Sequence, residues 1–220
     1  MGETDLNALP PEISGDPGME LERRTVFEYE LFYSPDSLLA SFFSKPDAQK
    51  LLVLITGESE AGKTTWCRAL IDRALARDLN PSGLISPAVF DSGSKIAIDL
   101  IDIASHERKR LAERRAADQP TRNGKGTRNW LFNDLVLAWG NAVLLNLHLT
   151  DLLIIDELGP LELLENDGLT SGLKLIDERQ YRLACVVIRP SLLATALDRW
   201  PWAKVLNVTR SAPVGESQTL

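Results

Sequence analysis

The chain has little of what would tie it to a disulfide scaffold, a metal cluster or a bilayer. Its 220 residues include two cysteines and two histidines. Cys67 and Cys185 fall in a predicted helix and a predicted strand, far from any C-x-x-C spacing, and read as reduced core residues. His106 and His148 stand apart from both, which leaves no zinc-site pattern. An excess of basic residues is also missing. The formal charge of −7 argues against a surface that coats nucleic acid, although it leaves room for a local basic patch. The longest apolar run, Leu135 to Leu149, is interrupted by Asn141, Asn146 and His148 and is too short to span a bilayer. The first residues lack a basic n-region and an apolar h-region, and Leu6 stands where a myristoylation site needs Ser or Thr. A soluble, cytoplasmic protein with no membrane partner is expected. What is present is 44% apolar residues, enough for one α/β domain with a sizeable core.

Leu51 to Thr65, LLVLITGESEAGKTT, reads as strand, phosphate loop and helix. Gly57, Gly62, Lys63 and Thr64 meet the spacing G-x-x-x-x-G-K-[ST]. Gly57 lets the chain leave a buried strand in a turn, and Gly62 lets backbone N–H groups close around phosphate oxygens. The cradle comprises Gly57, Glu58, Ser59, Glu60, Ala61, Gly62, Lys63, Thr64 and Thr65. Lys63 can reach the β- and γ-phosphates as a point charge, Thr64 can place its hydroxyl on Mg²⁺, and the helix presents its positive end to the anion. Glu60 stands where many phosphate loops carry glycine. It is expected to point outward, and to weaken nucleotide affinity.

Leu152 to Ile155 form a second apolar strand that ends in Asp156 and Glu157, the pattern of a Walker B element. Asp156 would hold the Mg²⁺ shared with Thr64, since a hard cation prefers oxygen ligands. Glu157 would orient or deprotonate the attacking water as general base. Gly159 and Pro160 follow in a tight loop.

Residues 1–22, rich in Pro, Gly, Asp and Glu, are expected to be a disordered tail. Residues 23–50 are expected to pack on the core as an extension, with an aromatic edge strand at Arg24–Tyr33 that could meet a protein partner and a short helix at Ser37–Phe43. Residues 51–210 are expected to form the phosphate-loop domain, and 211–220 a loose tail. Within the domain, the phosphate-loop helix runs to about Arg77, Asn80 to Gly83 break the chain, and a strand is expected at Leu84–Val89. A turn at Asp91–Ser94 and a return strand at Lys95–Ile103 complete a hairpin. His106–Arg115 reads as a charged helix leading into a polar loop, so that 106–129 forms a basic, lid-like segment. Its Arg108, Lys109, Arg110, Arg114, Arg115, Arg122, Lys125 and Arg128 allow three interpretations: a solvated face, a lid whose arginine (Arg122 or Arg128) meets the triphosphate, or a nucleic-acid patch, against which the acidic whole argues. Asp134 is expected to cap an apolar helix, Leu135 to about Leu147, buried on most sides. Further on come a helix at Leu169–Gln180, a central strand at Leu183–Ile188, a helix at Ser191–Arg199 and a last strand at Ala203–Val208. Arg189, where the central strand ends, is a second candidate for a phosphate sensor.

GESEAGKTT, GLISPAVFDSGSKIAIDLIDI, LLIIDELGPLELLE and a terminal VLNVTR together resemble the small nucleoside-triphosphatase family first known from thermophiles, which includes the cancer-related NTPase. The continuation Asp156, Glu157, Leu158, Gly159, Pro160, Leu161, Glu162, Leu163 is its more specific part. The resemblance implies a P-loop NTPase of α/β class, a RecA-like three-layer sandwich with a mostly parallel central sheet and an added β-hairpin. It also implies slow hydrolysis of ATP or other nucleoside triphosphates with Mg²⁺. By position, residues 57 and 62–65 would bind nucleotide, Lys63 and Glu157 would serve catalysis, and Thr64 and Asp156 the metal. A small-molecule or nucleotide kinase, or a nucleotide-dependent switch, remains the alternative; guanine specificity lacks its N-K-x-D stretch.

Overall fold

The computed structural model describes residues 34–44, 50–115 and 129–209. The expected tails, the strand at Arg24–Tyr33, and Arg122, Lys125 and Arg128 lie outside the described residues. The elements are α1 (Pro35–Phe43), β1 (Leu51–Thr56), α2 (Lys63–Leu75), β2 (Pro81–Ile85), β3 (Ala88–Asp91), β4 (Ser94–Asp102), β5 (Arg108–Arg114), β6 (Trp130–Phe132), α3 (Asp134–Leu145), β7 (Thr150–Ile155), α4 (Pro160–Glu165), α5 (Thr170–Asp177), β8 (Tyr181–Val187), a 3₁₀ turn (Pro190–Leu192), α6 (Leu193–Arg199) and β9 (Lys204–Asn207).

Among the described residues all strands join one sheet in the order β6-β5-β4-β2-β7-β8-β1-β9, with β3 also pairing β4. Strands β2, β7, β8, β1 and β9 are mutually parallel; β3 to β6 extend the sheet in antiparallel fashion. The parallel strands are buried on both faces, so their sequences are continuous apolar runs rather than alternating ones. Side chains of β1 divide by period two: Leu52 and Leu54 join α3, α5 and α6 on one face, while Val53 and Ile55 join α1 and α2 on the other. Three layers result. Cys67 and Cys185 are free and buried in the second of these clusters, where burial raises both thiols well above the ordinary cysteine value.

Four expectations need correction. The strand expected at Leu84–Val89 is two strands, β2 starting at Pro81 and β3 at Ala88. Pro81 opens β2 at a position that tolerates a missing N–H, and Gly83 lies so close to β7 that a Cβ would meet the Ile154 carbonyl oxygen at 2.0 Å. The stretch expected as a helix at His106–Arg115 is β5. Arg108 and Arg110 project to the same side and both pair with the buried Asp99 of β4, while Leu111 enters the core on the other side. Helix α3 is capped by Asn133, whose side-chain oxygen accepts from the Leu135 N–H at 3.1 Å, rather than by Asp134. It is buried on one face only, with Leu135 82% exposed. Finally, Pro160 opens α4 instead of continuing a loop, as proline at a first helical position can.

Candidate active site

The parallel strands end at one edge of the sheet, and the loops that leave them converge there. β1 runs into the phosphate loop. Gly57 (φ +143°) passes so close to β9 that a Cβ would lie 2.2 Å from the Val208 carbonyl oxygen, a contact that fixes glycine at this turn. Gly62 is the N-cap of α2, and no side chain caps the helix, so its first N–H groups are left for an anion. The Lys63 ammonium folds back over the loop and donates to the carbonyl oxygens of Gly57 and Glu58, both at 2.7 Å. Glu60 is exposed, and its backbone is left-handed at φ +62°.

β8 lies between β1 and β7, which sets the acidic strand end one strand away from the phosphate loop. Asp156 is buried and accepts the Ser86 N–H at 3.1 Å. Burial raises its carboxyl above the ordinary aspartate value; the Ser86 N–H, the Thr64 hydroxyl turned toward it and the charge of Arg68 oppose the rise, and Glu157 adds to it. Glu157 has a left-handed backbone, φ +88°, which turns the chain away from the strand. Its Oε1 accepts from Arg189 Nε, and Arg189 comes from the end of β8. The next turn is held by Glu162, a buried carboxylate that accepts the Gly159 N–H at 2.7 Å and the Leu169 N–H at 2.8 Å.

Sequence reasoning named the loop residues 57–65, Asp156, Glu157 and Arg189, and these lie at one sheet edge. It missed four others. Ser86 acts through its backbone, which carries no sequence signal. Glu162 stood in the quoted family motif without a role. Arg68 sits on the second turn of α2. Lys95, at the start of β4, is half-buried, and burial draws its ammonium below the ordinary lysine value; Glu157, Asp156 and Glu60 oppose that shift and Arg189 adds to it. Three of the basic residues between 108 and 115 are engaged within the fold: Arg108 and Arg110 on Asp99 and Lys109 over the Trp139 ring at 4.6 Å.

The donors suit a hard divalent cation. The buried Asp156 carboxylate and the Thr64 hydroxyl are oxygen donors of the kind Mg²⁺ takes from a protein when phosphate and water supply the rest. Among the described residues, no group of three or more His, Cys, Asp or Glu could hold a metal without such help. No helix among them is long and apolar enough to cross a membrane.

A family model described as NTPase matches residues 52–212. The nucleoside-triphosphatase THEP1 of Saccharolobus solfataricus is 33% identical over 113 residues, covering 51% of this chain and 62% of that protein. Its counterpart in Methanothermobacter thermautotrophicus is 32% identical over 112 residues, again covering 50% and 62%. The chain thus spans less than two thirds of the length of these two relatives. Two solved structures share the fold. The solution structure of a human cancer-related nucleoside triphosphatase gives a TM-score of 0.55 at 19% identity, covering 74% of this chain and 90% of that one. The crystal structure of THEP1 from Aquifex aeolicus gives 0.52 at 17%, covering 72% and 89%.

Proposed function

The chain belongs to the NTPase family, and from that premise we propose that it is a Mg²⁺-dependent nucleoside-triphosphate phosphohydrolase, converting NTP and water to NDP and phosphate, with residues 51–210 as the catalytic unit. The observation that carries the proposal is the sheet order, which sets the buried Asp156, held by the Ser86 N–H, one strand away from the phosphate loop over which Lys63 folds. Thr64 and Asp156 would hold Mg²⁺, which when bound neutralises charge on the β- and γ-phosphate oxygens. Lys63, released from the Gly57 and Glu58 carbonyls, would take the β- and γ-phosphate oxygens in their place. Glu157 would orient water and receive its proton. Arg189 occupies Glu157 Oε1, so Oε2 is the oxygen left to face water, and the need to position water around this pair is consistent with slow turnover. Broad base preference is carried over from the family resemblance, and the sequence has no N-K-x-D stretch to support guanine specificity. The two buried free thiols are in keeping with a cytoplasmic setting.

Orthophosphate release from ATP, GTP, CTP and UTP with Mg²⁺ tests the proposal. Lys63→Ala should abolish release, and Glu157→Gln should lower turnover by about 10²- to 10⁴-fold, the usual worth of a positioned base. Unchanged turnover in Glu157→Gln would remove the assigned base. Phosphate appearing on an added acceptor rather than in water would turn the assignment to a kinase.

A further inference from the structure

The phosphate loop and the loop after β7 are linked through the end of β8. The Ile188 N–H donates at 2.9 Å to the carbonyl oxygen of Ile55, just before the phosphate loop, and the Leu158 N–H, next to Glu157, donates at 3.0 Å to the carbonyl oxygen of Val187. The following residue, Arg189, is therefore fixed at its backbone between the two loops. Pro190 restricts it to extended backbone, and the Leu192 N–H returns to the Arg189 carbonyl oxygen at 2.9 Å. What is left to turn is the side chain, 47% exposed and so within reach of a ligand from solvent. Its Nε donates to Glu157 Oε1. Among the described residues its terminal N–H groups have no hydrogen-bond partner. Arg189 thus holds one carboxylate and keeps most of its donors in hand, at the strand end that lies between the phosphate loop and that carboxylate.

We propose that Arg189 binds the γ-phosphoryl group of the nucleotide through these terminal N–H groups while its Nε keeps Glu157, and so ties the base to the group under attack. The proposal rests on the hydrolase assignment above. A carboxylate that is to take a proton from water beside a triphosphate stands next to a polyanion, and the two repel. A planar cation between them attracts both, and the fork of arginine can hold a different oxygen on each edge. The pair with Glu157 is no obstacle, because an ion pair so open to water is weak and adjusts readily. In the step it serves, the water oxygen forms a bond to the γ-phosphorus and the bond from that phosphorus to the β,γ-bridging oxygen breaks. The electron pair stays on the diphosphate oxygen, and the water proton passes to Glu157 Oε2, the oxygen that Arg189 leaves open. Arg189 transfers no proton; it offsets negative charge on the γ-oxygens. An arginine that merely restrains Glu157 would do nothing for the phosphate, and the two roles separate by experiment.

Wild type, Arg189→Ala, Arg189→Met and Arg189→Lys are compared for affinity toward a fluorescent nucleoside diphosphate and a non-hydrolysable triphosphate analogue, both with Mg²⁺, and for turnover. Arg189→Ala and Arg189→Met should leave the diphosphate Kd within about twofold, a sign that the phosphate loop is intact, and cut the preference for triphosphate over diphosphate by about tenfold or more. Turnover should fall by about 10²- to 10³-fold, as for loss of one transition-state donor. Arg189→Lys keeps the charge without the fork, so it should recover part of the triphosphate preference and little of the turnover. A triphosphate preference equal to wild type in both neutral variants overturns the proposal whether turnover falls or rises, since Arg189 would then act on Glu157 alone. If wild type releases no phosphate, the hydrolase assignment fails, and the triphosphate-to-diphosphate affinity ratio still decides whether Arg189 meets the γ-phosphate.

Discussion

Glu60 occupies a left-handed backbone position at φ +62°, a conformation that costs an L-residue with a Cβ roughly 1–2 kcal/mol. Its exposed side chain also adds negative charge at the mouth of a site meant for a polyanion. Glycine there removes both the strain and the charge, while giving back part of the gain through a more flexible unfolded chain. Glu60→Gly should therefore bind Mg²⁺–nucleotide more tightly, by about threefold to tenfold at low salt, with a melting temperature close to wild type. Titration at two ionic strengths checks it; equal affinities at both would remove the electrostatic account. The carboxylates of Asp156 and Glu157 stand in contrast. One is buried against Thr64 and Ser86, the other is paired with an exposed arginine, so adjacent residues of the same chemical type are set up for different work by their surroundings.

The turn after β7 shows how an element keeps these carboxylates in place. Glu162 holds the N–H groups of Gly159 and Leu169 with its two oxygens, and burial raises its carboxyl above the ordinary glutamate value. Glutamine can accept only one of the two bonds, so Glu162→Gln should destabilise by about 1–3 kcal/mol, the cost of a buried donor left unpaired. The sign of its pH dependence follows from the raised folded pKa. Stability from this group is fully present below the unfolded glutamate pKa of about 4.3 and declines as pH rises through the folded value. The gap between wild type and Glu162→Gln in urea denaturation should thus be widest in acid and narrow toward neutral pH; a gap that widens would show the carboxylate, not the acid, to be the favoured form. Elements such as β1, β7, the turn at Asp91–Ser94 and the return strand β4 were legible in the sequence because local pattern and turn chemistry agree with the fold, whereas the break between β2 and β3 was not. Nor was β5. Its charges at Arg108, Lys109, Arg110, Glu113 and Arg114 fit a solvated helix, and only Asp99, nine or more residues away in sequence, makes them a strand. Ser86 was illegible for a related reason: its N–H meets Asp156 through the pairing of β2 with β7, not through the hairpin's own sequence.

For the whole molecule, the sheet couples ligand to stability. The phosphate loop, the β7 and β8 ends and the start of the β3–β4 hairpin are all joined to one sheet, of nine strands among the described residues, so a nucleotide that bridges them is bound by the folded state alone. At a free concentration of 100 Kd, such a ligand adds about 2.7 kcal/mol, which should raise the melting temperature by about 5–10 °C in a domain of this size. Lys63→Ala should lose most of that rise with Mg²⁺ and a triphosphate analogue while melting near wild type without them. A rise undiminished in the variant would place binding elsewhere. The two cysteines carry a last consequence. Both lie inside the layer between the sheet and helices α1 and α2, with their thiols held protonated, so neither offers a thiolate to reagents in solution. The native chain can therefore be handled without reductant and needs no cysteine removal before site-directed labelling. A maleimide fluorophore on Phe90→Cys, at an exposed position of the hairpin, would be the single reporter on the molecule, and its emission would register whether that ribbon moves when triphosphate arrives.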